Sequence, residues 1–308
     1  MRVRSLVAAV ASLAALVLVD QVAPRLLNPY WVTILSRIGI AVIAAVSLQL
    51  VNGFTGQFSI GHAGFMAIGA YASAALSVYV GAAALDAASL AGLLVGIPAL
   101  RLRGDYLAIA TLGFGEIIRI AILNIDAVGG ARGFSLAASA HPGIDLRFEG
   151  LGGLFAVAGI AVLAIARLVY SGGGLAFRAV REDETAAESI GIATTRVKIE
   201  AFLVASFFAG VAGALFAHSE GYIHTNSFGF VRSFELVVFV VLGGLGSISG
   251  AILAAATLTA APELLRGLGD WRMVLYSLLL IAMMLSRPQG LLGQRELWPI
   301  SDFTRGAK

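Results

Sequence analysis

The sequence predicts an all-α fold: a polytopic transmembrane helical bundle with about 8–10 crossings and both termini cytoplasmic. Three observations predict it. Of 308 residues, 59% are hydrophobic and only 13% are charged, whereas a soluble domain carries about a quarter charged residues. Mean hydropathy is +0.91. Glycine is abundant (37) and proline sparse (7), and small residues let membrane helices approach closely. Much of the apolar surface therefore faces lipid, and residues 1–308 are expected to form a single transmembrane domain. The absence of cysteine excludes disulfides, thiolate metal sites and a cysteine nucleophile. His62, His141, His218 and His224 are scattered, with no metal-binding spacing. The pI near 9.4 reads as membrane topology, not as nucleic-acid binding.

A spanning helix needs roughly 20 mostly apolar residues. The first stretch, 5–23, follows Met1-Arg-Val-Arg. Asp20-Gln-Val22 makes a poor signal cleavage site, so an uncleaved first helix is expected. Spans follow at 31–51 and 62–80. Between them lies the polar, Gly-rich stretch 52–64. The fourth stretch, 86–100, is short, as in a broken or deeply seated helix. The fifth is 106–123, followed by an external loop, 124–150, that contains Gly129-Gly-Ala-Arg-Gly133. The sixth span is 151–170 and the seventh 199–218, separated by the cytoplasmic segment 171–198. The stretch 234–262 is too long for one span and carries Gly243, Gly244, Gly246 and Gly250, so a break around 245–249 is expected. The final span is 271–286.

Lys and Arg set the orientation. With the N-terminus inside, Arg2, Arg4, Arg101, Arg103, Arg167, Arg178, Arg181, Arg196 and Lys198 fall on the cytoplasmic side. Arg25, Arg132, Arg147 and Arg232 fall outside. The basic tail, with Arg287, Arg295, Arg305 and Lys308, also belongs inside. Splitting 234–262 into two crossings satisfies this and leaves Arg266 outside.

The segment 171–198 opens with Ser171-Gly-Gly-Gly174 and continues as a charged helical stretch, 177–190, stopped at Gly191. Arg178 and Glu182, and Arg181 and Glu184, are spaced to pair on its surface. Such a helix is either a docking surface for a soluble partner or a solvated connector. The chain has two lysines, Lys198 and Lys308, and neither follows a glycine. It therefore contains no P-loop, and any ATP is hydrolysed by a separate subunit. Glu116 and Arg119 lie three apart inside the fifth span, where a charged side chain costs at least ~2.5 kcal/mol. They form either an ion pair that locks the bundle or a gate. Thr55, Gln57, Ser59 and His62 are suited to line a polar cavity, because irregular backbone at membrane depth requires one or else burial in protein. His62 reads as a hydrogen-bonded structural residue ahead of a proton relay. A G-x-x-G-x-x-S pattern recurs at 53–59 and 243–249, a faint internal repeat of the kind found beside transport pathways.

The segment Gly56-Gln-Phe-Ser-Ile-Gly-His-Ala-Gly-Phe-Met-Ala-Ile-Gly-Ala-Tyr71 resembles the first hallmark of the LivM/LivH permeases of branched-chain amino-acid ABC importers. Residues 102–119, 178–192, 241–250 (Val-Leu-Gly-Gly-Leu-Gly-Ser-Ile-Ser-Gly) and 287–293 (Arg-Pro-Gln-Gly-Leu-Leu-Gly) are similar to further motifs of that family, in order. Two of them, 102–119 and 178–192, favour LivM. The loop Gly129-Gly-Ala-Arg-Gly133 departs from the family's Gly-Gly-x-Asn/Asp-Gly type. The resemblance implies a multi-pass permease subunit of the bacterial inner membrane with no catalytic residue, metal or cofactor of its own. Its implied partners are a second, LivH-like permease, two cytosolic ATPase subunits that use ATP and magnesium, and a periplasmic substrate-binding protein. It also implies that 177–191 is the coupling helix seated on an ATPase, through Arg178, Arg181, Glu182, Glu184, Glu188 and Gly191. The expected pathway or gate residues are Gln57, Ser59, His62, Thr111, Glu116, Arg119, Gly243 and Gly246. The implied cargo is leucine, isoleucine or valine. A permease for urea or short amides and a stand-alone secondary transporter are the alternatives.

Overall fold

The computed structural model describes residues 28–80, 105–136 and 150–297, except 270, 288 and 294. The expected spans 5–23 and 86–100, the external loop beyond 136 and the end of the tail lie outside the described residues. So do Arg2, Arg4, Arg25, Arg101, Arg103, Arg147, Arg305 and Lys308.

The regular secondary structure of the described residues is helical apart from one very short strand pair. The helices are α1 (Pro29–Gln49), α2 (His62–Val80), α3 (Asp105–Leu123), α4 (Leu151–Tyr170), α5 (Gly174–Glu182), α6 (Glu184–Ser189), α7 (Thr194–Glu220), α8 (Phe230–Gly243), α9 (Ile248–Leu264) and α10 (Trp271–Ser286). Among the described residues, five helical segments are long and apolar enough to cross a membrane. A sixth results if α3 and the short helices after it, bent by 88°, count as one. The protein is thus an all-α, polytopic membrane protein.

Helix α1 starts with Pro at its first position, where the missing N–H costs nothing. Its second half is buried on every side, from Gly39 through Gln49, as expected of a helix at the centre of a bundle. It packs against α7, α9, α4 and α8. Helices α2 and α7 form the most intimate pair: Gly69 of α2 meets Gly210 of α7 so closely that a Cβ on Gly69 would overlap the Gly210 backbone. Helix α10 buries no residue, and Leu278, Ile281 and Leu285 stand outward. In water such a helix would not hold; against lipid tails its exposed face costs nothing.

The long apolar stretch 234–262 breaks at 244–247. Gly244 (φ 112°) and Gly246 (φ 92°) take left-handed conformations there. Helices α8 and α9 turn back on each other, with Gly243 and Gly250 backbone to backbone. Each half, with its flanking turn, is long enough to cross by itself.

Two features differ from expectation. The charged stretch 177–190 is two helices, α5 and α6, because Asp183 is extended (φ −156°, ψ 113°) and its carboxylate accepts from Ala186 N–H to cap α6. The second is a two-residue antiparallel ladder, β1 (Phe134–Ser135) with β2 (Tyr222–Ile223). It ties the segment after α3 to the α7–α8 connection, as do the bonds from Tyr222 hydroxyl to Arg132 carbonyl (2.8 Å) and between His224 Nε2 and Ala131 carbonyl (3.2 Å).

Candidate functional site

The polar stretch between α1 and α2 is irregular and buried. Helix α1 ends in a π-helical turn, Leu50–Phe54, a feature frequent at functional sites. Gly56 then reverses the chain at φ 68°. Thr55 and Gln57 N–H return to Leu50 and Val51 carbonyls (3.2 and 3.0 Å), and beyond them side chains satisfy the backbone. Asn52 does so in both directions: its Oδ1 accepts from Ser59 N–H (3.0 Å) and its Nδ2 donates to Ser59 carbonyl (3.3 Å). Thr111 Oγ1, on α3, accepts from Ile60 N–H (3.1 Å). Ser233 Oγ, on α8, accepts from Ala63 N–H (3.2 Å). His62 is buried, with Nε2 2.8 Å from Ser47 Oγ, and among the described residues no carboxylate bonds to it. Gln57 Nε2 and Ser59 Oγ are buried without a hydrogen-bond partner among the described residues. They are polar atoms available to water or to a passing polar solute.

The two G-x-x-G-x-x-S segments meet in space. Gln49 Nε2 donates to Gly244 carbonyl (2.8 Å) and Ser247 carbonyl (3.1 Å). A Cβ on Gly53 would lie 2.7 Å from Gly246 N. At this junction sits Arg181 of α5. Its Nη1 donates to Gly53 carbonyl (2.8 Å), it packs over Gly56, and it lies where a Cβ on Gly246 would be, 2.6 Å away. Gly246 thus makes room for the guanidinium and Gly56 for the stem that carries it. Arg181, Leu245, Gln289 and Arg295 line a cavity of about 570 Å³ beside it.

The tail closes the same end of the bundle. Leu291 and Leu292 N–H donate to Leu242 and Gly243 carbonyls (2.7 and 3.3 Å). Glu296 carboxylate accepts from Ile248 N–H (2.6 Å), Ser249 N–H (2.9 Å) and Tyr170 hydroxyl (2.8 Å). Ser247 Oγ accepts from Gly250 N–H (3.0 Å). The donors at the start of α9 are therefore claimed by one carboxylate and one cap, the arrangement a helix N-terminus favours.

Of the residues expected to couple, Arg178 lies 5.3 Å from the Tyr170 ring centroid. The break at Asp183 places Arg181 and Glu184 on different helices; Glu184 pairs with Lys198 (2.5 Å), and Glu188 accepts from Thr194 hydroxyl (2.7 Å). Glu182 is exposed. Gly191 (φ 88°) ends α6, with Gly191 and Ile192 N–H returning to Glu188 and Ala187 carbonyls (both 3.0 Å), a Schellman closure. Ile190 stands 76% exposed at the tip, an apolar knob with Ala186 and Gly191 beside it.

Gln57, Ser59, His62 and Thr111 gather around the turn between α1 and α2, and Gly243 and Gly246 sit at its edge. Glu116 and Arg119 do not join them. They lie further along α3, half-buried and paired with each other at 2.7 Å. Sequence reasoning missed Ser47, Gln49 and Asn52, whose only signal is a polar side chain in or beside an apolar run. It also missed Glu296, which carries no local signal.

Residues 30–286 match the family described as branched-chain amino acid transport system / permease component. The chain is 40% identical over 232 residues to the high-affinity branched-chain amino acid transport system permease protein LivM of Salmonella typhimurium, covering 67% of this chain and 55% of that protein. It is 35% identical over 141 residues to LivH of the same organism (45% of this chain, 46% of that protein). It is 30% identical over 183 residues to a probable LivM of Methanocaldococcus jannaschii (55% and 52%). The chain spans about half the length of the curated relatives it matches. No solved structure matches it.

Proposed function

Because the chain belongs to the family of permease components of branched-chain amino acid transport systems, we propose that it is the LivM-type permease subunit of an ATP-driven ABC importer that carries leucine, isoleucine and valine across the bacterial inner membrane. The observation that carries this reading is the seat of Arg181. One side chain links an exposed pair of charged helices to the junction of two buried glycine turns. A push on α5 and α6 from a soluble motor reaches the bundle interior through that contact. The transport cycle then needs only that the two turns separate and rejoin.

In this reading both termini and the α5–α6 pair are cytoplasmic, following the excess of Lys and Arg. The tip bearing Ile190 and Ala186 docks on an ATPase subunit, and two such subunits hydrolyse ATP with magnesium. The outward stripe of α3, with Ile109, Gly113, Ile117 and Ile120, packs against a LivH-like permease. The loaded periplasmic binding protein docks over the layer formed by 126–136 and 221–228. Gln57, Ser59, Thr111, Gly243 and Gly246 border the path, and selectivity resides mostly in the binding protein. A ligand or nucleotide moves such an equilibrium only through different affinity for its states.

The runner-up is a secondary transporter driven by protons through Glu116. The pairing of Glu116 with Arg119 weighs against it, since a carboxylate neutralised by its own helix is a poor proton carrier. Reconstitution with both ATPases, the second permease and the binding protein is expected to give ATP-dependent uptake of labelled leucine but not of labelled urea. Deleting 178–188 is expected to abolish it. Leucine uptake that follows a proton gradient without the ATPases, and vanishes in Glu116→Gln, would establish the runner-up instead. Preferred urea uptake would replace the cargo and leave the mechanism.

A further inference from the structure

At the end of the bundle opposite the Gly53–Gly246 junction, α1, α7, α8 and α9 part around a cavity of about 480 Å³, a volume typical of small-ligand sites. Its wall combines two kinds of surface. Ile34, Phe216 and Leu258 make it apolar on one side. On the other, Arg37 of α1 is held by Glu220 of α7 through two bonds (2.7 and 3.2 Å), and Arg232 is held by Glu235 on α8 (2.7 Å). Glu263 of α9 accepts from Tyr30 hydroxyl, and Arg266 covers the Tyr30 ring at 4.9 Å. The lining thus gathers two guanidinium groups and three carboxylates, and the exposed Arg266 stands at its rim beside Glu263 as the third cation. Into the same cavity Thr259 contributes a hydroxyl oxygen that is buried and has no hydrogen-bond partner among the described residues.

Balanced charge selects among ligands. A lone cation or anion entering this ring leaves one of the six groups uncompensated in a partly desolvated site. A zwitterion brings both charges, so every ion pair it opens is closed again on the ligand. Arg37 and Arg232 offer donors to an anionic group, Glu235 and Glu263 accept from an ammonium, and Thr259 Oγ1 is an acceptor not yet claimed. Ile34, Phe216 and Leu258 suit a branched apolar chain.

We propose that this cavity binds a zwitterion with a primary ammonium, an anionic group and an apolar chain, and that its natural ligand is the branched-chain amino acid at the outer mouth of the permease. The choice of ligand rests on the transport function proposed above; the zwitterion selectivity rests on the cavity itself. A phosphatidylethanolamine headgroup carries the same two charges and is the competing source.

The test uses the full chain in phosphatidylglycerol nanodiscs, without binding protein, and labelled leucine. Saturable binding is expected, displaced by valine and at least about tenfold less well by leucinamide, which lacks the anion, or by 4-methylpentanoate, which lacks the ammonium. Thr259→Val and Glu235→Gln are each expected to weaken binding at least about fivefold while the melting temperature stays within about 2 °C. If phosphatidylethanolamine is the ligand, it is retained on purification by the unmodified chain and lost from Glu235→Gln, and adding it to the nanodiscs suppresses leucine binding; that result keeps the zwitterion site and overturns the amino acid as its ligand. Leucinamide or 4-methylpentanoate competing as well as valine, variants binding like the unmodified chain, or neither leucine binding nor lipid retention overturns the site. ATP-driven uptake by the full assembly is read separately: uptake without binding here removes this site alone, and binding without uptake removes the transport reading alone.

Discussion

Arg181 ties α5 to both glycine turns. It reaches past the surface of α5, donates to the Gly53 carbonyl and fills space that two glycines, Gly56 and Gly246, leave open. A charge-assisted hydrogen bond to a buried carbonyl is worth about 1.5–3 kcal/mol, enough to make α5 and the two glycine turns move together. Arg181→Ala is expected to lower ATP-driven leucine uptake at least about tenfold while the ATPases still co-purify, since it cuts the linkage and leaves the docking tip of α6 intact. Co-purification and uptake measured on the same preparation separate the two effects. Equal loss of both would assign Arg181 to docking. His62 is a contrasting residue. Its Nε2 meets a serine hydroxyl in a buried site, an arrangement that holds α1 to the start of α2 and, among the described residues, offers a proton no second carrier.

Elements in this bundle are placed by backbone contact as much as by side chains. Without a hydrophobic drive between helices in lipid, close packing and polar bonds decide which faces meet. Gly53 shows this at the junction: a methyl there would press on Gly246 N at 2.7 Å. Gly53→Ala is expected to destabilise the protein by about 1–3 kcal/mol through overpacking, read as a lower melting temperature, and to abolish uptake. The α8–α9 hairpin depends on a different device. Glu296 supplies the carboxylate that holds the first N–H groups of α9. Glu296→Gln removes its charge at a helix N-terminus, and a loss of about 1 kcal/mol is expected. Unchanged stability would mean that Ser247 alone suffices as cap. Asp183 plays the equivalent part for α6, and its preference for the capping position over the helix interior explains why the charged stretch is split.

At the scale of the whole molecule, the two ends differ in kind. One end carries the glycine turns, the basic tail and the exposed α5–α6 pair. The other carries the strand pair, the loop at 126–136 and the balanced ring of charges. The chain has no cysteine, so single cysteines report topology without background. A cysteine at Ser189 is expected to react with a membrane-impermeant maleimide only in inverted vesicles, and one at Ser227 only in right-side-out cells. The reverse pattern would invert the proposed orientation and place the zwitterion cavity inside. Labelling at both sites from one face would contradict the single crossing, α7, that lies between them.

The class of the protein was legible from composition, because the demand for about 20 apolar residues per crossing is local and one-dimensional. Helices α4 and α10 begin and end where the apolar runs at 151–170 and 271–286 do. The break in 234–262 was legible too, since clustered glycines mark the one place where that backbone leaves the helix. The partners of the polar groups were not. Arg181 finds Gly53 128 residues away, Gln49 finds Gly244 195 away, and Tyr30 finds Glu263 233 away. Hydropathy makes all the helices of a bundle look alike, so it contains no information on which faces meet. Only the packed structure decides that, because a buried polar atom must find its partner wherever the neighbouring helix presents one. The sequence by itself therefore determined that this is a membrane-spanning permease with no ATP site of the P-loop kind. The tertiary structure decided that its two glycine turns form one junction, held by an arginine from outside the bundle.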